Sequence, residues 1–421
     1  VVSTWSYGGE VPGQVIRATK GDLLVVQLRN RLPDPTTVHW HGIAIDNAMD
    51  GIPDVTQPAI APDGTFEYRF TVPDAGTHWF HPHLGTQLDR GLYAPLIVED
   101  PADPADYDQE LVLVFDDWLD GTGRTPTQVL ANLQANGMGA MGMGGAPMPH
   151  SQLLGGDAGD VNYPYYLANG RVPAAPPSFT AKAGQRVRLR LLNAGADTAF
   201  RVGAPGLPML ITHSDGYPVA PTAARAVLLG MGERLDAIIT MPEHPVPLLG
   251  LAEGKNGLAQ LVLSPGQGGR LDTAAAAAAL TTEPVTWTTN LTAAPQVTLP
   301  TRAPDLTHEL KLGGPSAGYT WTINGETYDP RRGMPVHQGQ RVRLRYTNST
   351  MMFHPMHLHG HTFQIHRTNG RIGPRKDTAI VLPNQTLEVD FDADNPGQWL
   401  THCHNVYHGE AGMMTIVSYR A

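Results

Sequence analysis

The sequence predicts an all-β chain of three consecutive β-sandwich domains, and three observations carry that expectation. The first is composition: 46 glycines and 37 prolines, with only 16% charged residues among 421, favour turn-rich strands over helices. The second is length, which exceeds one ordinary core and suits two or three domains. The third is an internal repeat. Gly21 to Asn30, Gly184 to Asn193 and Gly339 to Asn348 each run from a glycine through alternating branched apolar residues to an asparagine nine positions later.

Each copy reads as a turn followed by a half-buried strand, as in VVQLRN, VRLRLLN and VRLRYTN. The copies start roughly 160 residues apart, near the size of one β-sandwich. That spacing sets the expected domains at 1–103, 104–272 and 273–421. Between the second and third, the run Ala274 to Ala279 is bordered by Gly- and Pro-rich sequence and reads either as a linker or as a short helix. A net charge of -10 argues against nucleic acid or an anionic membrane surface as partner. No apolar run reaches the length that spans a bilayer. The first residue is Val1 and not methionine, which fits a removed leader or simply a boundary of the sequence.

The chemistry emerges on counting forward from the repeat asparagines. Asn30 plus nine and eleven gives His39 and His41, and Asn348 treated identically gives His357 and His359, whereas Asn193 gives Val202 and Ala204. A second correspondence starts from a glycine: Gly76 plus five and seven gives His81 and His83, and Gly397 gives His402 and His404. A strand histidine can be a merely satisfied polar group, and independent placement alone would produce about 0.8 HxH pairs in this chain. Four pairs at repeat-equivalent places in two copies of one fold exceed that. A shared metal site at the interface of domains one and three is the economical reading.

Imidazole suits copper, zinc, iron and nickel alike, so the pairs do not identify the metal. The single cysteine does. It excludes an intramolecular disulfide and sits between His402 and His404. In an extended strand Cys403 faces one way while both flanking histidines face the other. Thiolate, two imidazoles and a weak axial methionine form the blue-copper set, and the chain offers His354, Cys403, His408 and Met413. Zinc accepts such ligands but has no redox role that would couple two centres through Cys403. A Cys-His nucleophile needs one histidine as base, not a field of them.

Four segments carry a family resemblance: HWHG at His39 to Gly42, HPH at His81 to His83, HPMHLHG at His354 to Gly360, and HCHNVYHGEAGM at His402 to Met413. They resemble the copper motifs of multicopper oxidases, and three-domain laccases and bacterial copper-resistance oxidases look most similar. The likeness spans essentially the whole chain, including the stretch around Trp5 and the TQLDRGLYAPLIVED segment. It implies three cupredoxin-like Greek-key sandwiches and four copper ions, one type 1, one type 2 and two type 3. Carried over by motif, the type 1 copper takes His354, Cys403 and His408 with Met413 axial. The type 2 copper takes His39 and His357. One type 3 copper takes His41, His81 and His404, the other His83, His359 and His402. Asp50, in MDGIPD, matches the family's acidic position beside the cluster, or else is a turn residue before Gly51. The glutamate that relatives often carry just after the last type 1 histidine is replaced by Gly409, with Glu410 next as a candidate proton carrier.

The implied activity is oxidation of a donor, one electron at a time, coupled to four-electron reduction of dioxygen to water. Electrons are expected to enter through an exposed edge of His408 and to cross at Cys403. Phenols or aromatic amines are the laccase-like expectation, and cuprous ion the alternative. Met138, Met141, Met143 and Met148 in a Gly-rich stretch are soft donors for Cu(I), and Met351, Met352 and Met356 lie near His354. A non-enzymatic copper-binding repeat protein would be expected to have lost ligands, yet all are present. A monomer, exported to the periplasm or the exterior, completes the expectation. His78, His361 and His366 are read as neighbours of the motifs rather than ligands.

Overall fold

A computed structural model describes residues 2–103, 106–137, 149–266, 269, 271–367 and 371–420. The methionines at 138, 141, 143 and 148 lie outside the described residues. The fold is built from the repeat outward. The repeat glycines Gly21, Gly184 and Gly339 sit at φ +92°, +81° and +88°, a left-handed conformation that side chains resist, which explains glycine at all three turns. The strands that follow, Leu23–Arg29, Arg186–Asn193 and Arg341–Asn348, each pair antiparallel with a later strand of their own sandwich.

The repeat asparagines perform one job three times. Asn30 donates its side-chain amide to the carbonyls of Asp34 and Ile60 and accepts from the Leu32 N–H. Asn193 donates to Thr198 and Leu229 and accepts from Gly195, and Asn348 donates to Met352 and Val381 and accepts from Thr350. All three are buried. Each therefore pins the loop that turns into the next strand, His39–His41, Phe200–Gly203 or His354–Leu358. The spacing from asparagine to HxH pair is fixed by this loop.

Two sheets form each sandwich. In the first domain a four-stranded sheet runs in the order Ile16–Thr19, Ala94–Glu99, Gly76–His81, His39–His41, opposite the pair Leu23–Arg29 and Thr65–Thr71. The second domain stacks two six-stranded sheets, one of them completed by Val285–Trp287 from beyond residue 272, and the third a six-stranded on a five-stranded one. Trp40, Tyr68, Phe70 and Phe80 fill the first core, while a larger continuous core joins the second and third. The α-helices are few: Pro126–Asn136, Thr273–Thr282 and Val406–Glu410 among the described residues. The alanine run takes the helical form. Asp272 caps it by accepting from the Ala275 N–H, and Leu280 anchors it on Ala226, Leu249 and Leu251. No described helix is long and apolar enough to cross a membrane.

Asn193 isolates the loop-pinning role, because its domain has no HxH pair. Asn193→Ala strips the partner from two buried carbonyls and one N–H, and is expected to lower unfolding free energy by about 2–4 kcal/mol in denaturant titration. An unchanged midpoint would show that the loop holds without it.

Candidate metal centres

Two pairs of neighbouring strands bring the histidines together. His39 lies opposite His81 in one sheet, and His357 opposite His402 in another. Period-two alternation then puts both members of each HxH pair on one face, where domains one and three meet. Eight imidazoles converge. His402 Nε2 is 3.2 Å from His83 Nε2 and 3.0 Å from His359 Nε2, and His81 Nε2 is 3.5 Å from His41 Nδ1. The His41 and His357 rings stack at 3.7 Å, those of His39 and His359 at 3.8 Å. His404 stands with its ring centre 4.9 Å from that of His41 and 5.2 Å from that of His81.

Six of the eight rings have a partner for the outward nitrogen. His39 Nδ1–H donates to the Asp50 carbonyl at 3.0 Å and to its Oδ1 at 3.1 Å, and His359 Nδ1–H donates to Asp50 Oδ2 at 3.0 Å. His357, His81 and His402 donate through Nδ1 to the carbonyls of Asp377, Pro82 and Cys403. Each of these leaves Nε2 facing the cluster. His41 is reversed: its Nε2–H donates to Asp377 Oδ1 at 3.0 Å, so Nδ1 faces inward. Asp50 is thus more than a turn residue, since it is buried and holds two rings, while Gly51 at φ +80° supplies the turn.

Protonation favours a metal. Burial, aided by the neighbouring imidazoles, pushes His81, His83, His359 and His404 well below the usual histidine range, and His402 down to about 3. Neutral rings with inward lone pairs are what a metal requires. The Nε2 atoms of His39 and His357 and both ring nitrogens of His404 are buried without a hydrogen-bond partner. Each such orphan costs about 1–3 kcal/mol unless something coordinates it. The donor set fits metal ions, and three triads here, His39-His41-His81, His39-His357-His359 and His83-His359-His402, have ligand atoms within 4.8 Å of one another.

The second centre forms on the other face of the same strand. Cys403 Sγ lies 3.5 Å from His354 Nδ1 and 3.6 Å from His408 Nδ1, with the two nitrogens 3.1 Å apart. Asn405 caps the short helix Val406–Glu410, accepting from the Tyr407 and His408 N–H groups, and so fixes His408. The Cys403 N–H donates to the Met413 carbonyl, which ties the buried Met413 to the same spot. The outer nitrogens again have partners: Thr350 Oγ1 at 2.8 Å for His354 and Asp160 Oδ2 at 2.8 Å for His408. Burial works against a charged His408, but Asp160 and Cys403 outweigh it and raise the ring to about 10. A cation placed among these donors meets the same demand for positive charge.

The expected exposed edge of His408 is overturned. The ring is fully buried, stacked on Trp321 at 3.9 Å and closed at Nε2 by Asp160. Asp160 belongs to the second domain, 248 residues earlier, and no motif or repeat position pointed to it. Asp377 and Thr350 were missed for the same reason. Glu410 is half-buried and lines a small cavity with His81, His83, His402 and His404 that adjoins a larger one of about 410 Å³, and burial raises its carboxyl to about 7. Among the other histidines, His361 bonds Tyr419 and His366 bonds Asp390, while His78 is buried with both nitrogens unpartnered.

Comparison with known proteins agrees with this construction. Models of the multicopper oxidase family match residues 1–103, 109–247 and 301–421. The chain is 50% identical to the multicopper oxidase MmcO of Mycobacterium tuberculosis, over 100% of this chain and 84% of that protein. It is 26% identical to a copper resistance protein A homolog of Pseudomonas syringae pv. tomato, over 97% and 88%. Among solved structures, a mutant of the laccase from B. aclada superposes with a TM-score of 0.80 at 25% identity, over 98% of this chain and 83% of that one. The chain belongs to the multicopper oxidases: it is a copper-binding oxidoreductase of cupredoxin-like domains that takes electrons from a substrate and uses dioxygen as oxidant.

Proposed function

We propose that this chain is a four-copper oxidase in which His354, Cys403, His408 and Met413 hold a type 1 copper. His39 and His357 hold type 2. His41, His81, His404 and His83, His359, His402 hold the type 3 pair. Bound copper supplies the one-electron acceptor at the first centre and, at the second, the capacity to reduce dioxygen to water. The protein supplies the rest. Cys403 and its flanking histidines form the shortest covalent link between the centres. Asp50 and Asp377 keep imidazole protons on the outside of the cluster. Glu410, at the cavity beside four of the histidines, holds a proton within reach of dioxygen and exchanges it with solvent.

The donor reading rests on the bond between His408 and Asp160. The imidazole is covered and Asp160 behind it is itself buried, and the second oxygen of that carboxylate has no partner among the described residues. A buried carboxylate with an unpartnered oxygen beside the ring suits a small cationic donor best, which favours cuprous ion. Asp157 adds a second carboxyl nearby, raised to about 6 by burial and by Asp160. Its neighbour across an isolated bridge is Met352, next to Met351, a residue that is 70% exposed and offers a soft thioether. The name of the copper-resistance relative supports the same reading, and export from the cytoplasm goes with it. Phenols or aromatic amines remain the second reading, supported by the likeness to a laccase.

Cys403→Ser is expected to abolish the intense blue absorption of the copper-loaded protein and all oxidase turnover, with an unchanged circular dichroism spectrum. Retained colour would contradict the type 1 assignment. Asp160→Asn is expected to keep the colour and lower kcat/KM for Cu(I) by about tenfold or more, in line with loss of one charge-assisted contact. If phenol oxidation falls in steady-state assays while Cu(I) oxidation does not, the cuprous reading is wrong and the phenol reading stands.

A further inference from the structure

The second domain contributes none of the expected ligands, yet one of its residues reaches the histidine cluster. Arg234 opens strand Arg234–Thr240 and is fully buried. Its Nη1 and Nη2 donate to Asp377 Oδ1 and Oδ2 at 2.7 and 2.6 Å. Its Nε donates to the Thr77 carbonyl at 3.0 Å, and Nη1 also to the Gly232 carbonyl at 3.2 Å. One guanidinium therefore ties together a first-domain strand, a second-domain turn and a third-domain carboxylate. The planar fork matches both carboxylate oxygens at once, which an ammonium group does not.

Asp377 passes that constraint to the cluster. Its Oδ1 accepts from His41 Nε2–H and its backbone carbonyl from His357 Nδ1–H. Within the cluster, His41 alone among the rings with assigned outer partners turns Nδ1 inward, and its Nε2 meets the Asp377 side chain and Thr378 Oγ1. A carboxylate free to rotate would release the Nε2 proton, and the ring could then carry its proton on the inward nitrogen, where no lone pair would remain for a metal. Two glycines leave room, one for this contact and one for the cluster. A Cβ on Gly42, at φ +85°, would lie 2.3 Å from Arg234 Nη2 and 2.7 Å from Asp377 Oδ2. A Cβ on Gly232, at φ +86°, would lie 2.9 Å from His404 Cδ2.

We propose that Arg234 is a positioning residue for the histidine cluster: through Asp377 it fixes the tautomer and orientation of His41 and the seat of His357. The inference rests on the ligand assignment above. A purely structural ion pair would make a different prediction, namely lower thermal stability with an unaltered cluster.

The test uses the copper-loaded full chain as wild type, Arg234→Met and Arg234→Lys. The lysine variant keeps the buried charge and removes the fork, so it reports even where the methionine variant fails to fold. The measurements are copper per chain after competition with a chelator, the electron paramagnetic resonance signal of the type 2 copper, and the blue absorption as a separate reporter of the type 1 site. Expected are unchanged blue absorption in Arg234→Lys, copper retention at the cluster weakened about 10- to 100-fold, and an altered type 2 signal. A lysine variant that retains its copper and the wild-type signal, whatever its melting temperature, overturns the inference alone. A wild type that binds a single copper overturns the assignment beneath it, and the inference with it.

Discussion

Alternation of side chains along the strand Gln398–Cys403 is the constraint on which both centres depend. It sends Cys403 toward His354 and His408, and His402 toward His83 and His359. A slip of one residue would exchange the two faces and dismantle both sites together. The register is held from both sides. His357 pairs with His402 and Met356 with Cys403 on one flank, while Leu400 pairs with Ile416 and His402 with Met414 on the other. The two centres are therefore neighbours because of backbone geometry, before any metal chemistry is considered.

Electrostatics then shapes what surrounds the strand. Rings that face one another through bare nitrogens are unfavourable unless a cation joins them, and burial keeps most of them neutral so that a cation can. Carboxylates occupy the outer layer: Asp50 and Asp377 behind the cluster, Asp160 behind His408. Buried carboxylates need partners in turn. Asp377 receives Arg234, Asp160 receives the hydroxyl of Tyr319, and the surrounding Asp215 and Glu233 share Lys376. Domain two, which holds none of the expected ligands, thus supplies Asp160 at one centre and Arg234 at the other.

The eight clustered histidines were legible because repetition exposed them, and Cys403 because it is the single cysteine and lies between two of them: the same count from Asn30 and from Asn348 reaches an HxH pair, and the structure explains that count by the loop each asparagine pins. Asp50 was half legible, since an acid before glycine looks like a turn and here it is both turn and hydrogen-bond acceptor. Asp160, Asp377 and Arg234 were not legible. They lie at unrepeated positions and act across domain boundaries, 248 residues from His408 in one case and 336 from His41 in another. The burial of His408 escaped in part for the same cause, because Asp160, which closes its Nε2, comes from another domain while Trp321 covers its face. The alanine run stayed ambiguous until Leu280 found a pocket, a tertiary contact that propensity alone does not foresee.

The central claim is that electrons entering singly at the Cys403 centre are gathered at the histidine cluster and delivered to dioxygen together. The most direct test is the ratio of donor oxidised to dioxygen consumed, followed with an oxygen electrode and a parallel peroxide assay. The account predicts four equivalents of a one-electron donor per dioxygen and no peroxide. Two equivalents per dioxygen with matching peroxide would contradict it.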